Sequence, residues 1–158
     1  MDQEVFFNAI RQGDLEVVRI QLEKKPELIG SRDSRGSTPL ILAAYYNHGP
    51  VVAYLLKKGA PVDEKDASGS TALMGACFKG YVEIAEQLIA AGANINSSHP
   101  MGGSCLIFAV SFKQEAIARL LIAQGADLNG KDARGLTALD HAKMQGLKQL
   151  EVLLTGTK

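Results

Sequence analysis

A spacing of 33 residues runs through most of the chain and constrains its fold more than any other feature. It relates four glycines, a threonine or serine two residues after each glycine, and a leucine four residues after each. These residues are Gly36, Gly69, Gly102 and Gly135; Thr38, Thr71, Ser104 and Thr137; and Leu40, Leu73, Leu106 and Leu139. A fixed period of this size is the signature of stacked repeats. The constant residues are therefore scaffold, and function is expected at positions that vary between units.

The composition narrows the class of protein. The chain has 158 residues, with 17 basic and 17 acidic side chains that cancel. A balanced charge gives no overall field toward nucleic acid or an anionic membrane. The acidic amino-terminal stretch does not resemble a signal peptide, no apolar run approaches the about 18 residues of a membrane span, and two cysteines are too few for a disulfide framework. These features predict a reduced, soluble, cytoplasmic protein.

The period divides the chain into units of one design. We expect a single domain with a degenerate first copy at 1–32, full copies at 33–65, 66–98 and 99–131, and a shortened last copy at 132–158. In the copies at 33–65, 66–98 and 132–158 an Asp-x-x-Gly turn, whose glycine supplies a positive φ, precedes a short helix that begins at a Thr cap. A second helix follows and ends at a left-handed glycine such as Gly59.

The terminal units carry polar residues where inner units are mostly apolar. Asn8 and Gln21 in the first copy, and Lys143 and Glu151 in the last, would be costly against a neighbouring unit and harmless against water. Such faces are typical of capping repeats. They predict a complete array that does not stack end to end, and hence a monomer.

The repeated strings resemble the ankyrin repeat closely. The matching segments are DSRGSTPL, DASGSTAL and DARGLTAL, followed by paired small residues and a Gly-Ala pair. The resemblance implies an all-α solenoid of stacked antiparallel helix pairs with turn or β-hairpin fingers, in about five repeats including the caps. It also implies recognition of another protein through the concave face that the fingers and first helices form.

Two departures from this family pattern are visible. The histidine that commonly follows Thr-Pro-Leu is replaced by Ile41, Met74, Ile107 and Asp140, so its polar network must be reduced or rebuilt. The unit 99–131 opens with His-Pro-Met-Gly-Gly instead of Asp-x-x-Gly. We expect its finger to be looser than the others or differently shaped.

The resemblance places two residues of each first helix in the concave groove. These pairs are Arg11–Gln12, Tyr45–Tyr46, Phe78–Lys79, Ser111–Phe112 and Met144–Gln145. Four of the nine aromatic residues fall there, and exposed aromatics in a row are typical anchors for a partner. The alternative is that individual rings are partly buried against a neighbouring finger.

Basic residues surround these groove positions. Seven cations at the turns and in the groove face three aspartates, namely Arg11, Arg32, Arg35, Lys65, Lys79, Lys131 and Arg134 against Asp33, Asp66 and Asp132. This excess suits a protein or peptide with acidic and apolar groups. The alternative is that scattered Lys and Arg side chains keep the surface soluble. The predicted partner-binding residues are Arg35, Tyr45, Tyr46, Phe78, Lys79, Met101, Ser111, Phe112, Arg134 and Met144.

Candidates for chemistry are weak. His48, His99 and His141 occupy three different phases without metal-ligand spacing, so structural roles are expected and neither a metal nor another cofactor is predicted. Asp140 beside His141 lacks an activated nucleophile. Adjacent helical residues also do not face each other. The chain is therefore predicted to be a non-catalytic interaction module, with a small-ligand protein or enzyme on the same scaffold as the alternative and self-association through the aromatic face as a third reading.

Cys77, Cys105 and the glycine-rich turn have simple explanations. Cys77 occupies an alanine phase and Cys105 the start of a helix, so both are expected in the core. A redox-linked pair between these neighbouring units is the alternative. The stretch 101–104 could bind an anion at a helix start, but it lacks the lysine and spacing of a phosphate loop, which favours a finger turn.

Overall fold

The computed structural model describes residues 2–155 and is almost entirely helical. In this part of the chain ten α-helices come in consecutive pairs, with a short 3₁₀ helix after the first pair and two short strands before the fourth. The helices are α1 (Asp2–Gln12), α2 (Leu15–Lys24), α3 (Pro39–Tyr45), α4 (Gly49–Lys57), α5 (Ala72–Lys79), α6 (Val82–Ala90), α7 (Cys105–Ser111), α8 (Glu115–Ala123), α9 (Ala138–Met144) and α10 (Lys148–Leu154). The 3₁₀ helix spans Pro26–Gly30, and the strands are β1 (Ser98–His99) and β2 (Gly103–Ser104).

The first helices of the four later pairs begin with the predicted caps. Thr38 accepts a hydrogen bond from the backbone N–H of Ile41 at 3.2 Å, and Pro39 occupies the first turn, where it loses no bond. Thr71, Ser104 and Thr137 accept from the corresponding N–H groups. These four side chains fix where α3, α5, α7 and α9 start.

Three of the five second helices are followed by left-handed glycines, as predicted. Gly59, Gly92 and Gly125 follow α4, α6 and α8 with φ of +90°, +95° and +86°. This left-handed conformation strains residues that carry a Cβ. Each glycine reverses the chain toward the next unit.

Stacking of like helices builds one continuous core. The first helices α1, α3, α5, α7 and α9 contact one another in chain order, and so do the second helices α2, α4, α6, α8 and α10. Ala43, Ala76, Ala109 and Ala142 are fully buried. Their small side chains allow close approach between neighbouring helices, and each pair buries its apolar face against the next.

Side-chain amides and one imidazole tie each unit to its neighbour. The Nε2 atoms of Gln114 and Gln145 donate to the carbonyl oxygens of Phe78 and Ser111, at 3.1 and 2.8 Å. His48 Nε2 lies 2.8 Å from the carbonyl oxygen of Arg11. These contacts satisfy carbonyls at the ends of first helices, which otherwise lack intrahelical partners.

Three fingers share one turn geometry. In each, one carboxylate oxygen of the leading aspartate accepts hydrogen bonds from the backbone N–H groups two and four residues later. For Asp33 the donors are Arg35 and Ser37, both at 2.9 Å, and Asp66 and Asp132 repeat the pattern. Gly36, Gly69 and Gly135 close these turns with φ between +77° and +94°. The Asp-x-x-Gly prediction is confirmed for these units.

The finger of the unit 99–131 is built differently. Strands β1 and β2 pair antiparallel, with Ser98 opposite Ser104 and His99 opposite Gly103. The left-handed residue is Gly103, with φ of +78°, and not Gly102, which keeps the period. The expectation that this finger has a different shape from the others is therefore confirmed. This finger has no aspartate whose carboxylate could accept hydrogen bonds from the backbone N–H groups of the turn. A short hairpin forms instead, and the left-handed residue lies one position later in the chain.

In the last unit polar side chains form a hydrogen-bonded network in the region of the missing family histidine. There Asp140 accepts from the backbone N–H of Thr137 at 2.9 Å, and His141 Nε2 lies 2.7 Å from Asp132 Oδ2. The inner units place Ile41, Met74 and Ile107 at the same phase, all of them buried and apolar.

Among residues 2–155, no helix is both long enough and apolar enough to cross a membrane.

Candidate partner-binding groove

A groove runs between the first helices and the fingers, and it contains two connected compartments. We call the one lined by residues of the first three units the polar compartment; its volume is about 680 Å³. The apolar compartment lies between α5, α7 and the fingers on either side of them; its volume is about 490 Å³. Ile41, Tyr45 and Asp66 line both, so the two form one elongated surface.

The polar compartment is bounded by charged side chains that bond to each other. Arg11 reaches Asp33 with an N–O distance of 3.3 Å, and Asp33 is also the acceptor of its own turn. Tyr45 and Tyr46 form the helical wall, with ring centroids 5.3 Å apart and planes nearly perpendicular. Arg35 is exposed at the finger side.

The apolar compartment has a buried floor and aromatic walls. Met74 and Ile107 form the floor, each about 2% exposed. Phe78 and Phe112 meet edge to face above it, with ring centroids 4.5 Å apart. Such a pair is more favourable than its buried area alone indicates, so the wall is held in place before any ligand arrives.

Gly75 creates the open space between these walls. It stands one turn before Phe78 on α5, and a Cβ built there would meet no atom within 4 Å. The same phase carries Leu42, Phe108 and His141 in other units. The apolar compartment is therefore deep because one unit lacks a side chain that its neighbours have.

The irregular finger closes the other side of the apolar compartment. The ring of Phe108 lies under Gly102, where an added Cβ would come within 2.6 Å of it, and its centroid is 5.6 Å from that of His99. Met101 extends from the fingertip with 75% of its surface exposed. The hairpin thus seats an aromatic ring beneath it and presents a flexible apolar side chain above.

Both aspartates beside the apolar compartment are engaged by the protein itself. Backbone hydrogen bonds, led by the one from Leu136, and the contact with His141 lower the pKa of Asp132. Partial burial alone would raise the pKa of Asp66, but hydrogen bonds from Ser68 and Ser70 outweigh it and lower the pKa. Both carboxylates are therefore ionised and bonded at neutral pH, as turn elements of the scaffold.

The four aromatic groove positions are exposed together. Tyr45, Tyr46, Phe78 and Phe112 are each between 40 and 48% exposed. The predicted site residues Arg35, Tyr45 and Tyr46 line the polar compartment, and Tyr45, Phe78, Met101, Ser111, Phe112 and Arg134 line the apolar one. Lys79 lines neither compartment, but its Nζ is 4.8 Å from the centre of the Tyr45 ring. Met144 is 62% exposed but is not among the residues lining either compartment.

Some of the basic side chains expected at the fingers form hydrogen bonds and ion pairs within the protein itself. Arg32 donates to the carbonyl of Lys65 at 2.6 Å and pairs with Glu64. Lys65 repeats the contact one unit later, donating to the carbonyl of Ser98 at 3.1 Å. These cations, like Arg11, stabilise contacts between units, so fewer charges face a partner than the sequence suggested.

Sequence reasoning missed the interior of the apolar compartment. Met74, Gly75, Ile107 and Phe108 were not predicted as site residues, and all four line it. A signal was present, because Met74 and Ile107 occupy the phase of the missing histidine. In the sequence, replacing the family histidine indicates a reduced polar network. In the structure, the same replacement also produces the apolar floor.

The remaining polar candidates have structural positions. Each histidine contacts a backbone atom or a carboxylate, including His99, whose Nδ1 accepts from the N–H of Met101 at 3.0 Å. Cys77 and Cys105 are both free and buried. The hydrogen bond with Cys105, together with burial, raises the pKa of Cys77 well above its usual value. Cys77 is consequently a protonated core thiol and not a reactive thiolate.

Comparison with known proteins agrees with the repeat pattern. A family model of ankyrin repeats in three copies matches residues 6–99, and a single ankyrin repeat matches residues 101–133. Segments of 52 and 56 residues are 44% and 39% identical to BTB/POZ domain-containing protein 3 of Schizosaccharomyces pombe and to Protein fem-1 homolog A of Danio rerio. Each alignment covers 33% of this chain. The aligned part is 10% of the Schizosaccharomyces pombe protein and 9% of the Danio rerio protein. The repeated turns, capped first helices and stacked pairs, together with the model matches, place this chain in the ankyrin-repeat family.

Proposed function

We propose that this protein binds another protein through the groove, without catalysing a reaction on it. The observation that carries the proposal is the group of half-exposed aromatics in the groove. Tyr45 packs on Tyr46 and Phe78 packs on Phe112, and both pairs contribute to the lining of the two connected compartments. Isolated apolar residues are common on surfaces, but a contiguous patch of this kind marks an interaction site. Aromatic side chains are also enriched among residues that contribute most to binding.

The scaffold supports this role because the groove is preformed. The edge-to-face pair of Phe78 and Phe112 and the cation of Lys79 over Tyr45 restrict these side chains before binding. Less conformational entropy is then lost when a partner docks. Ankyrin repeats are, as a family, protein-interaction modules, which agrees with this surface. The domain bounds given above, a cytoplasmic location and a monomeric state belong to the same proposal.

Affinity capture with paired surface variants tests the proposal. The groove variant carries Tyr45→Ala and Phe112→Ala, and the control carries Lys57→Ala and Glu86→Ala on the exposed sides of α4 and α6. All four positions are exposed, so circular dichroism should show unchanged folding. We expect proteins captured from native lysate by the wild type and the control to be lost from the groove variant. An identical set on all three baits would show that the groove is not the interface.

One feature, the apolar compartment, supports the alternative that this chain is a small-ligand protein or an enzyme. Residues 2–155 contain no group of three or more His, Cys, Asp or Glu side chains that could hold a metal ion. Self-association through the groove aromatics is a separate outcome, which concentration-dependent light scattering would reveal as a mass above that of one chain.

A further inference from the structure

We propose that the apolar compartment receives one segment of the partner protein, which inserts a bulky apolar side chain over Gly75 and places a carboxylate against Arg134. This inference rests on the proposed function and specifies the chemistry of the segment. It is carried by the absent side chain at Gly75 and by the charge state of the groove.

The compartment is shaped to receive a side chain from outside. Met74 and Ile107 supply a dry floor, and Phe78, Phe108 and Phe112 supply the walls. Gly75 leaves open space between them at a helical position where other units carry Leu42 or Phe108. An apolar side chain that fills this space is removed from water where it meets the floor and the walls, and the partner that carries it would cover the open side, as at an interface hot spot.

Two cations of the groove keep unengaged hydrogen-bonding groups, whereas the carboxylates of the groove already accept hydrogen bonds from the protein. Asp33 pairs with Arg11, Asp66 is bonded by its own turn, and Asp132 contacts His141. Arg35 and Arg134 are exposed, and among residues 2–155 neither guanidinium has a carboxylate within ion-pair distance. The cations can therefore accept an acidic partner, whereas the acids are already engaged. Arg134 lines the apolar compartment itself, so the carboxylate belongs next to the inserted side chain.

The open connection between the compartments favours a chain segment over a small molecule. Tyr45, Ile41 and Asp66 line both cavities, so a ligand seated over Gly75 can continue toward Arg35. A small amphipathic acid would occupy the apolar compartment alone and would leave Tyr46 and Arg35 untouched. The two ligand sizes are thus distinguished by whether the polar compartment contributes to affinity.

Three substitutions test the pocket without touching the core. Gly75→Leu fills the space, Gly75→Ala is the matched control that leaves most of it, and Arg134→Glu reverses the charge. Because Gly75 lies inside a helix and an added Cβ meets nothing, Gly75→Ala should fold at least as well as the wild type. Thermal unfolding of all three variants checks this before any binding measurement.

A random peptide library displayed on phage is selected on the wild type alone, and the recovered peptides are then measured against each variant. We expect the recovered peptides to carry a bulky apolar residue with Asp or Glu a few residues away. Their Kd should rise by roughly tenfold or more in Gly75→Leu and several-fold in Arg134→Glu, and change by less than about twofold in Gly75→Ala. Tyr46→Ala should also weaken them, whereas independence from Tyr46 would indicate a ligand confined to the apolar compartment and would contradict a segment.

Methyl-labelled methionine gives a direct spectroscopic readout. Met74 and Met101 line the apolar compartment and Met144 does not, so a bound peptide should shift the methyl signals of the first two and leave the third in place. Basic or uncharged consensus peptides, or failure to recover any peptide sensitive to Gly75→Leu, would overturn the inference. Peptides whose affinity is unchanged in Gly75→Leu but falls in the double variant Tyr45→Ala, Phe112→Ala would overturn the inference. They would leave the proposed function standing. Peptides insensitive to every groove change would contradict both.

Discussion

The two compartments of the groove are built on the same scaffold phases, yet they differ in chemistry. In the polar compartment Leu42 fills the phase that Gly75 leaves empty in the apolar one, and Arg11 and Asp33 close the side. In the apolar compartment a hairpin finger covers Phe108 instead of an aspartate-centred turn. A repeat protein can thus change one section of its groove by altering one helix position and one finger, while the buried helix contacts stay constant.

The fingers differ in what their glycines must accommodate. Gly103 is left-handed and lies against the next finger, since a Cβ there would come within 3.1 Å of Asp132 Cα and 2.9 Å of Ile107 Cδ1. Gly135 has nearly the same φ, +81°, but a Cβ there would meet nothing within 4 Å. Alanine substitutions at these two positions therefore distinguish the cost of backbone conformation from the cost of packing between fingers.

The largest effect is expected from Gly103→Ala compared with Gly135→Ala. Left-handed φ costs a residue with a Cβ about 1 kcal/mol in either case, and overpacking adds about 1–3 kcal/mol at Gly103 alone. Urea unfolding should therefore show a distinctly greater loss of unfolding free energy for Gly103→Ala. Equal losses for the two variants would mean that the hairpin finger does not pack tightly on its neighbour.

A smaller effect is expected from the contact between Asp132 and His141. Because the folded pKa of Asp132 is below its unfolded value near 3.9, its stabilisation is complete above that pH and is lost as pH falls through the folded pKa. In Asp132→Asn the amide oxygen can keep the backbone bonds while the charge is gone. We therefore expect chemical denaturation to show a smaller loss of stability in the variant than in the wild type as the pH falls below about 4. Parallel pH profiles would show that the charge contributes nothing.

The smallest effect concerns the connection between α7 and α8. Lys113 has φ of +59°, whereas Gly80 and Gly146 hold the equivalent left-handed positions in flanking units. Lys113→Gly should raise the unfolding free energy by about 0.5 kcal/mol, because relief of left-handed strain exceeds the entropy that glycine loses on folding. Lys113→Asn should give a smaller gain, since asparagine tolerates this conformation better than lysine. A destabilised glycine variant would show that the Lys113 side chain makes a compensating contribution.

Much of the fold could be predicted because its determinants are local. The caps Thr38, Thr71, Ser104 and Thr137 and the left-handed glycines Gly59, Gly92 and Gly125 each act within a few residues of themselves, so the period of 33 carries them faithfully. The exposed aromatic positions were predicted by the same periodicity combined with the family resemblance. Whether they bind a partner stays a prediction.

The parts that could not be predicted depend on neighbours one unit away. Gly75 looks like a weak helix residue in the sequence, and only the space around it shows that its missing side chain opens a compartment. Arg32 and Lys65 look like free surface charges, but each reaches a backbone carbonyl 33 residues along the chain. A contact between units depends on three-dimensional separation, which local propensity does not encode.

The sequence by itself determined the repeat and the helix starts and ends, because these follow from hydrogen bonding and backbone conformation within one unit. The exposed aromatic positions followed from the period together with the family resemblance. The tertiary structure decided which glycine of the irregular finger is left-handed, which charges remain free and where the groove deepens. The physical reason is packing: side chains from successive units share the same space, and the volume left between them is a property of the stack.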